Sequence, residues 1–426
     1  MARTSGLSSA DLAGFVTEVA VRLPEGRVIV ALSGGADSAA LAYAVAAAGV
    51  PARAVTVHHH LPGSDGLVRA AAEMAAALRI GHTVVDAPGG ESETELRRTR
   101  LEALEKERDL DEWILTGHTR DDLAETVLGN LIRGAGAGGL AGIPSRRHPW
   151  ARPLLQTTRE LARAVARTAG LPFVDDPMND DPSVRRNRLR HGVIPAIELD
   201  FNPAFREALA RTAEAAAADD DVLQSRAAAV PIIHDEEAVL VPTAALATLP
   251  QAVAARVARR ALRMVLDPYP GSAQDVSAVL GAVDGVTGQI GGGFLAVPEG
   301  AHVAIHSGES PPPPPETELS VPGEAAFGPW LIRSGPPEAA ALGRHGAVLD
   351  ATETLLVRAA RPGDRIGIPG GTKKVSDALA EAGVPPRLRT RWPVVESDGR
   401  ILWVVAIRAS DGRGGGVGMA AVRSRR

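Results

Sequence analysis

The stretch RVIVALSGGADSAALAYAV, residues 27–45, decides the fold. Residues 28–32 form a continuous apolar run rich in β-branched side chains, the pattern of a parallel strand buried on both faces. Residues 38–50 are alanine-rich and favour helix. Between them stand two glycines, two serines and an aspartate. A strand, a glycine turn and a helix leave backbone N–H groups aimed past the sheet edge, where an anion fits. An ordinary β-to-α turn with Asp37 and Ser38 as helix caps has the same local look. The turn lacks the lysine of Gly-x-x-x-x-Gly-Lys-Ser/Thr and the spacing of Gly-x-Gly-x-x-Gly.

Working outward, apolar strand patterns recur at residues 52–58, 82–86 and 113–117, with helical segments between. Starts about thirty residues apart are the period of a βαβ unit. The expected fold is α/β: an open, mostly parallel Rossmann-like sheet with helices on both faces and its ligand at the C-terminal strand ends. A central helical segment and a C-terminal mixed α+β segment follow. We expect domains at 1–201, 202–310 and 316–426, the last after a stiff linker of five prolines, 311–315.

The 426 residues are 45% hydrophobic and 23% charged, ordinary values for a soluble protein. No signal peptide or membrane-spanning run is visible, so a cytoplasmic location without membrane attachment is expected. Cysteine is absent, which removes disulfides, thiolate metal sites and cysteine nucleophiles. The net charge of −5 is uneven. Residues 351–426 hold fourteen Arg and Lys against seven Asp and Glu, a net of +7 that leaves −12 for the rest. A basic end on an acidic body suits a polyanion, although solvated arginines give the same excess.

A second motif, TGHTRDDLAETVLGNLIRGAGAGGLAGI at 116–143, ends a strand and starts a helix at about Asp121. Leu123, Val127, Leu128 and Leu131 make the expected buried stripe, with Asp122, Glu125 and Asn130 turned away from it. Asp121 and Asp122 alone would only complement the helix dipole. Beside a nucleotide turn, they suit magnesium or a substrate ammonium.

SGGADS resembles the PP-loop of the ATP pyrophosphatases, which cut ATP between its α and β phosphates. With GHTRDDLAET, LIRGAGAGGLAGI, RPLL…TRE, DDPMNDDPSVRRNRLRHGVIP and the tail RPGDRIGIPGG…VSDALAEAGVPPRLRTRWPVV, in that order, the chain resembles the tRNA(Ile)-lysidine synthases. The resemblance covers most of the chain and is weakest in the centre. The absence of cysteine separates it from the tRNA thiolases. It implies that ATP adenylates the wobble cytidine of the isoleucine tRNA with a CAU anticodon. Free L-lysine then displaces AMP to give lysidine, which pairs with A rather than G.

The resemblance places Ser33, Gly34, Gly35, Ala36, Asp37 and Ser38 on the ATP phosphates, with Asp37 near Mg²⁺ and His118 at the nucleotide. It gives Asp121, Asp122 and Glu125 to the DDxxET motif, with Asp122 orienting or deprotonating the lysine ammonium. Arg97 and Arg100, one helical turn apart, are expected at phosphate or the cytosine, Arg97 in catalysis. Arg133, Arg186, Asn187 and Arg190 are expected at tRNA or adenylate, and Arg387, Arg389 and Arg391 at RNA phosphates. Thr119 and Leu123 depart from the family's second histidine and glutamine, and His58, His59 and His60 stand where it has His-x-x-His-Gly. Another adenylating synthetase and a non-catalytic RNA-binding relative remain as alternatives, and a homodimer stays open.

Overall fold

The computed structural model describes residues 7–423 apart from 89–92, 177–180, 236, 268, 270, 310, 343–344, 351–353 and 411–415. Residues 177–180 of the DDPMNDDP segment therefore lie outside the described residues. The chain divides into Met1–Val222 and Leu223–Arg426.

The first unit is built on β1 (Val28–Ala31), β2 (Ala52–His58), β3 (Gly81–Asp86), β4 (Trp113–Leu115), β5 (Arg146–Arg147) and β6 (Trp150–Ala151), in the order β3-β2-β1-β4-β6-β5. Only the β5–β6 pair is antiparallel. Val28, Ile29 and Val30 are fully buried, as a central strand demands. Val28 and Val30 pack with α1 (Ser9–Ala20), α2 (Ala36–Ala47), α3 (Ser64–Leu78) and the later helix Arg159–Thr168. Ile29, on the opposite face, packs with Leu104 of α4 (Glu93–Glu107) and with Ile114 and Trp150. The alternation along β1 thus separates two cores, with helices on both faces.

The chain leaves β1 toward β2 and β3, then returns to place β4 on the other side of β1. This reversal opens a crevice at the carboxyl ends of β1 and β4, where open α/β sheets take their ligands. Two loops border it: residues 32–35 ahead of α2, and 116–119 ahead of α5 (Arg120–Ile132). On α5, Leu123, Val127 and Leu128 pack with Leu189, Ile194 and Leu209. Leu131 departs from the expected stripe and is 53% exposed. Asp122 and Glu125 depart the other way and are buried, because arginines from later segments enclose them.

In the second unit the helix Gln251–Leu266 falls in the segment expected to be helical and Ala273–Gly281 follows it, and they cover a sheet that sequence reading did not foresee. Five short strands pair antiparallel, with His302–Ser307 between Ala238–Pro242 and Phe294–Glu299. Residues 316–426 carry two further sheets around Phe327, Trp330, Trp403 and Met419. The helices Val375–Glu381 and Pro386–Arg389 pack on a smaller core with Ile366, Ile401 and Val404. The break falls inside the helix Phe205–Ala228 rather than after residue 201. The start of this helix packs with Leu123 and Val127, whereas Leu223 and Ala227 pack with the second unit's core, so no composition change marks the boundary.

Candidate active site

The turn after β1 closes tightly. The Ser38 hydroxyl donates to the Gly35 carbonyl at 2.9 Å and accepts from the Ser33 N–H at 3.2 Å. Gly34 takes φ +83°, and a Cβ there would sit 2.2 Å from the Leu67 carbonyl oxygen, so both the dihedral and the close approach require glycine. The Val174 N–H donates to the Gly34 carbonyl at 3.0 Å. The first N–H groups of α2, at Ala36, Asp37 and Ser38, have no acceptor within the helix and face the crevice end of the sheet. Gly117, after β4, lets the second loop touch the first: a Cβ there would lie 3.0 Å from the Asp37 backbone.

Behind these loops lies a set of buried charges. Asp122 Oδ2 accepts from the Thr119 N–H at 2.7 Å and the Thr119 hydroxyl at 2.9 Å. Its Oδ1 accepts from Arg159 at 2.8 Å and Arg186 at 2.7 Å. Glu125 accepts from Arg186 at 2.6 Å, Arg190 at 2.7 Å and Arg159 at 3.2 Å. Arg159 also reaches Asp37, 3.6 Å away, and its own N–H donates to Asp121 at 2.8 Å. Arg206 pairs with Asp121 at 3.1 Å. Thr119 thereby acquires a role as the clamp on Asp122, and Leu123 packs in the core beneath.

The carboxylates differ sharply in proton affinity. Burial pushes Asp37 up to about 6, with Arg159 opposing and Asp122 adding to the rise. Burial would also raise Asp122, but Arg186 and Arg159 outweigh it and hold that group at about 2. Glu125 is likewise held below its ordinary value by Arg190 and Arg186 against burial. Burial, with Arg152, Arg97 and Arg186 nearby, lowers His118 to about 4, so its ring is neutral at pH 7. Thr116 is 2.8 Å from His118 Nδ1.

The residues expected from sequence fall into three groups. Ser33 to Ser38, His118, Asp121, Asp122 and Glu125 converge at the crevice or directly behind it. Arg186 and Arg190 come there too, but their guanidinium groups hold Asp122 and Glu125 rather than standing open for RNA. Asn187 is buried and donates to the Asp181 carbonyl at 2.9 Å. Arg97 and Arg100 lie exposed on α4, Arg97 near Arg152 and His118. Arg133 is exposed and donates to Asn130.

Arg387 departs from the expectation of an RNA-facing side chain. Its side chain is 7% exposed and donates to Glu299 at 3.0 Å and Asp235 at 3.3 Å. Arg391 pairs with Glu237, and Arg389 donates to the Val384 carbonyl at 2.8 Å. The carboxylates that capture Arg387 and Arg391 lie up to 154 residues away in sequence (391 − 237), so a local excess of positive charge misstates what these two do.

Sequence reading missed Arg159 and Arg152, although both sat inside quoted motifs. Arg159 joins Asp37, Asp122 and Glu125. Arg152 is pushed down to about 10 by burial, Arg97 and Arg147, and its Nε is buried without a hydrogen-bond partner among the described residues. Asp37 Oδ1 is similarly buried and unpartnered. A buried carboxylate oxygen lacking a donor, beside free helix N–H groups, fits a hard divalent cation accompanying an anion.

The switch-point crevice, its serine–glycine loop and the unpartnered Oδ1 of Asp37 suit a PP-loop ATP-using protein. A PP-loop domain model matches residues 9–197, and a TilS substrate C-terminal domain model matches 355–420. A tRNA(Ile)-lysidine synthase of Thermus thermophilus is 33% identical over 416 residues, spanning 93% of this chain and 72% of its own. Another, of Rhodococcus erythropolis, is 41% identical over 245 residues, spanning 56% of this chain and 74% of its own. The chain belongs to the tRNA(Ile)-lysidine synthase family.

Proposed function

We propose that this chain joins free L-lysine to the wobble cytidine of the isoleucine tRNA bearing a CAU anticodon, at the expense of ATP. Cytidine O2 attacks the α-phosphorus, and the bond to the β-phosphate breaks to release pyrophosphate. The lysine ε-amine, having lost a proton from its ammonium form, attacks C2. The C2–O2 bond then breaks, and AMP leaves carrying that oxygen. The observation that carries this reading is the pairing of the glycine turn and Asp37 with the Asp122–Glu125 cluster across one crevice.

Ala36, Asp37 and Ser38 offer backbone N–H groups to the leaving pyrophosphate. Mg²⁺, held by Asp37, would supply the charge that offsets the phosphates. Asp122, at about 2, has little tendency to take a proton, so it serves by orienting a cation and holding Arg159 and Arg186 in place. Neutral His118 is suited to a hydrogen bond with the nucleotide. Arg97, Arg100, Arg133 and Arg152 supply positive charge for RNA or adenylate. Such chemistry belongs in the cytoplasm, where tRNA, lysine and ATP meet. Among the described residues, no helix is long and apolar enough to cross a membrane. Whether the chain forms a homodimer is read by sedimentation equilibrium.

The test is incubation with ATP, labelled lysine and total tRNA, followed by nucleoside analysis. Lysidine with matching AMP release is expected. AMP release independent of tRNA would favour another adenylating synthetase, and tRNA binding without AMP a non-catalytic relative.

A further inference from the structure

Three consecutive histidines close β2, and the crevice chemistry uses none of them. His59 turns inward, and its Nδ1 donates to the Ala87 carbonyl at 2.9 Å. His58 and His60 lie together with ring centroids 4.0 Å apart. His60 adopts φ +56°, a left-handed conformation unusual for a side chain of this size. Its Nε2 is 2.9 Å from Asp86 Oδ1, at the end of the adjacent strand β3.

The hydrogen bonds fix which nitrogen of His58 carries the proton. Ser64 donates its single hydroxyl hydrogen to the Leu61 carbonyl at 2.7 Å. Its oxygen, 2.9 Å from His58 Nε2, must therefore accept from that nitrogen. Asp65 Oδ1 lies 3.2 Å from the same Nε2 and can only accept as well. With that proton on Nε2, His58 Nδ1 offers a lone pair in the neutral ring, and it faces Asp86 Oδ1 at 3.9 Å. In that form two acceptors face each other, a pairing that a cation between them, metal or proton, relieves.

We propose that His58 Nδ1, His60 Nε2 and Asp86 Oδ1 bind a divalent transition-metal ion of the Zn²⁺ type. Ligand atoms of these three residues lie within 4.8 Å of one another. A metal about 2.0–2.2 Å from each atom would span the 2.9 and 3.9 Å spacings at angles of about 90° and 135°, so binding would draw the side chains by about half an ångström toward tetrahedral geometry. Binding displaces one proton, from His60 Nε2, and leaves room for water as a fourth ligand. The contact of His58 Nε2–H with Ser64 and Asp65 is the outer partner that metal-bound imidazoles characteristically have. Two imidazoles with a carboxylate suit Zn²⁺ in a chain that has no thiolate to offer. The site would tie β2 and β3 to the start of α3, whose Leu67 carbonyl packs on Gly34. Its occupancy is read without substrate and stands apart from the proposed reaction.

The experiment uses the full untagged chain, stripped by chelator and titrated with Zn²⁺ against a chromogenic competitor, with Co²⁺ absorption as a second probe. One equivalent is expected. His60→Ala and Asp86→Asn should each weaken it at least tenfold, and Asp65→Asn about ten- to a hundredfold through the outer contact. His60 and Asp86 are 51% and 69% exposed, so these variants should melt with the parent when metal-free. Asp37→Asn should retain the equivalent, separating this site from any ion at the phosphate loop. Failure of the parent to bind, or parental affinity in both His60→Ala and Asp86→Asn, would overturn the proposal.

Discussion

Asp37 and Asp122 share a crevice but contribute to stability with opposite sign. Asp37 keeps its proton up to about pH 6 in the folded chain, whereas its ordinary value is 3.8. The native state therefore binds more protons between those values, and stability falls as pH rises through the window. Asp37→Asn should raise the stability of the ligand-free protein at pH 7 by about 1–3 kcal/mol. The same change should abolish AMP release, because the carboxylate is lost. Denaturant unfolding paired with an AMP assay reads both, and wild-type AMP release would refute the phosphate-loop role. Asp122, held at about 2, stabilises above its ordinary range and loses that contribution as pH falls toward 2. Asp122→Asn should cost about 2 kcal/mol at pH 7 and slow turnover roughly 10²–10⁴-fold. Asp109→Asn, outside the crevice, should do little to turnover. Equal rates for the two variants would reduce Asp122 to a helix cap.

At the scale of elements, the crevice depends on two loops from neighbouring strands meeting without side chains between them. Gly117 has ordinary backbone angles, so only space argues for glycine there. Gly117→Ala would press a methyl against the backbone of Asp37 and Ser38 at 3.0 Å. The loops must part, at a cost of about 1–3 kcal/mol in a packed setting, and ATP should bind at least tenfold more weakly. Gly81→Ala, where a Cβ meets nothing within 4 Å, provides the comparison and should change neither. ATP titration of both variants checks this, and equal affinities would show that the loops move independently. The N-terminus of α2 offers its N–H groups usefully only if this contact holds them at the sheet edge.

Across the whole molecule, the distribution of charge matters less than its pairing. The net of +7 at residues 351–426 suggested an RNA-facing patch, yet Arg387 lies buried among Glu299, Asp235 and Glu237. Removing one partner of a buried set strands the others, at about 3–5 kcal/mol. Arg387→Ala should destabilise the second unit by about that amount and leave the salt dependence of tRNA binding unchanged. A true phosphate contact would instead reduce the log–log slope by about 0.7–0.9. Thermal unfolding and a salt series on the same protein distinguish the two, and a flattened slope with parental stability would restore Arg387 to the RNA surface.

The sequence by itself determined the strand–turn–helix at residues 27–45 and the four parallel strands. Each of these is encoded locally, by runs of apolar β-branched residues and by Gly34, whose φ of +83° and close approach to Leu67 require glycine. It did not reveal β6, because two residues, Trp150 and Ala151, carry no readable period. Nor did it reveal the antiparallel sheet of the second unit, whose strands of three to six residues lie between more conspicuous helices. The tertiary structure alone decided what the charges do. Arg159, Arg186 and Arg190 meet Glu125 across 34, 61 and 65 residues of chain. Burial and those encounters set the proton affinities of Asp37 and Asp122, and both depend on distances that no sequence window contains.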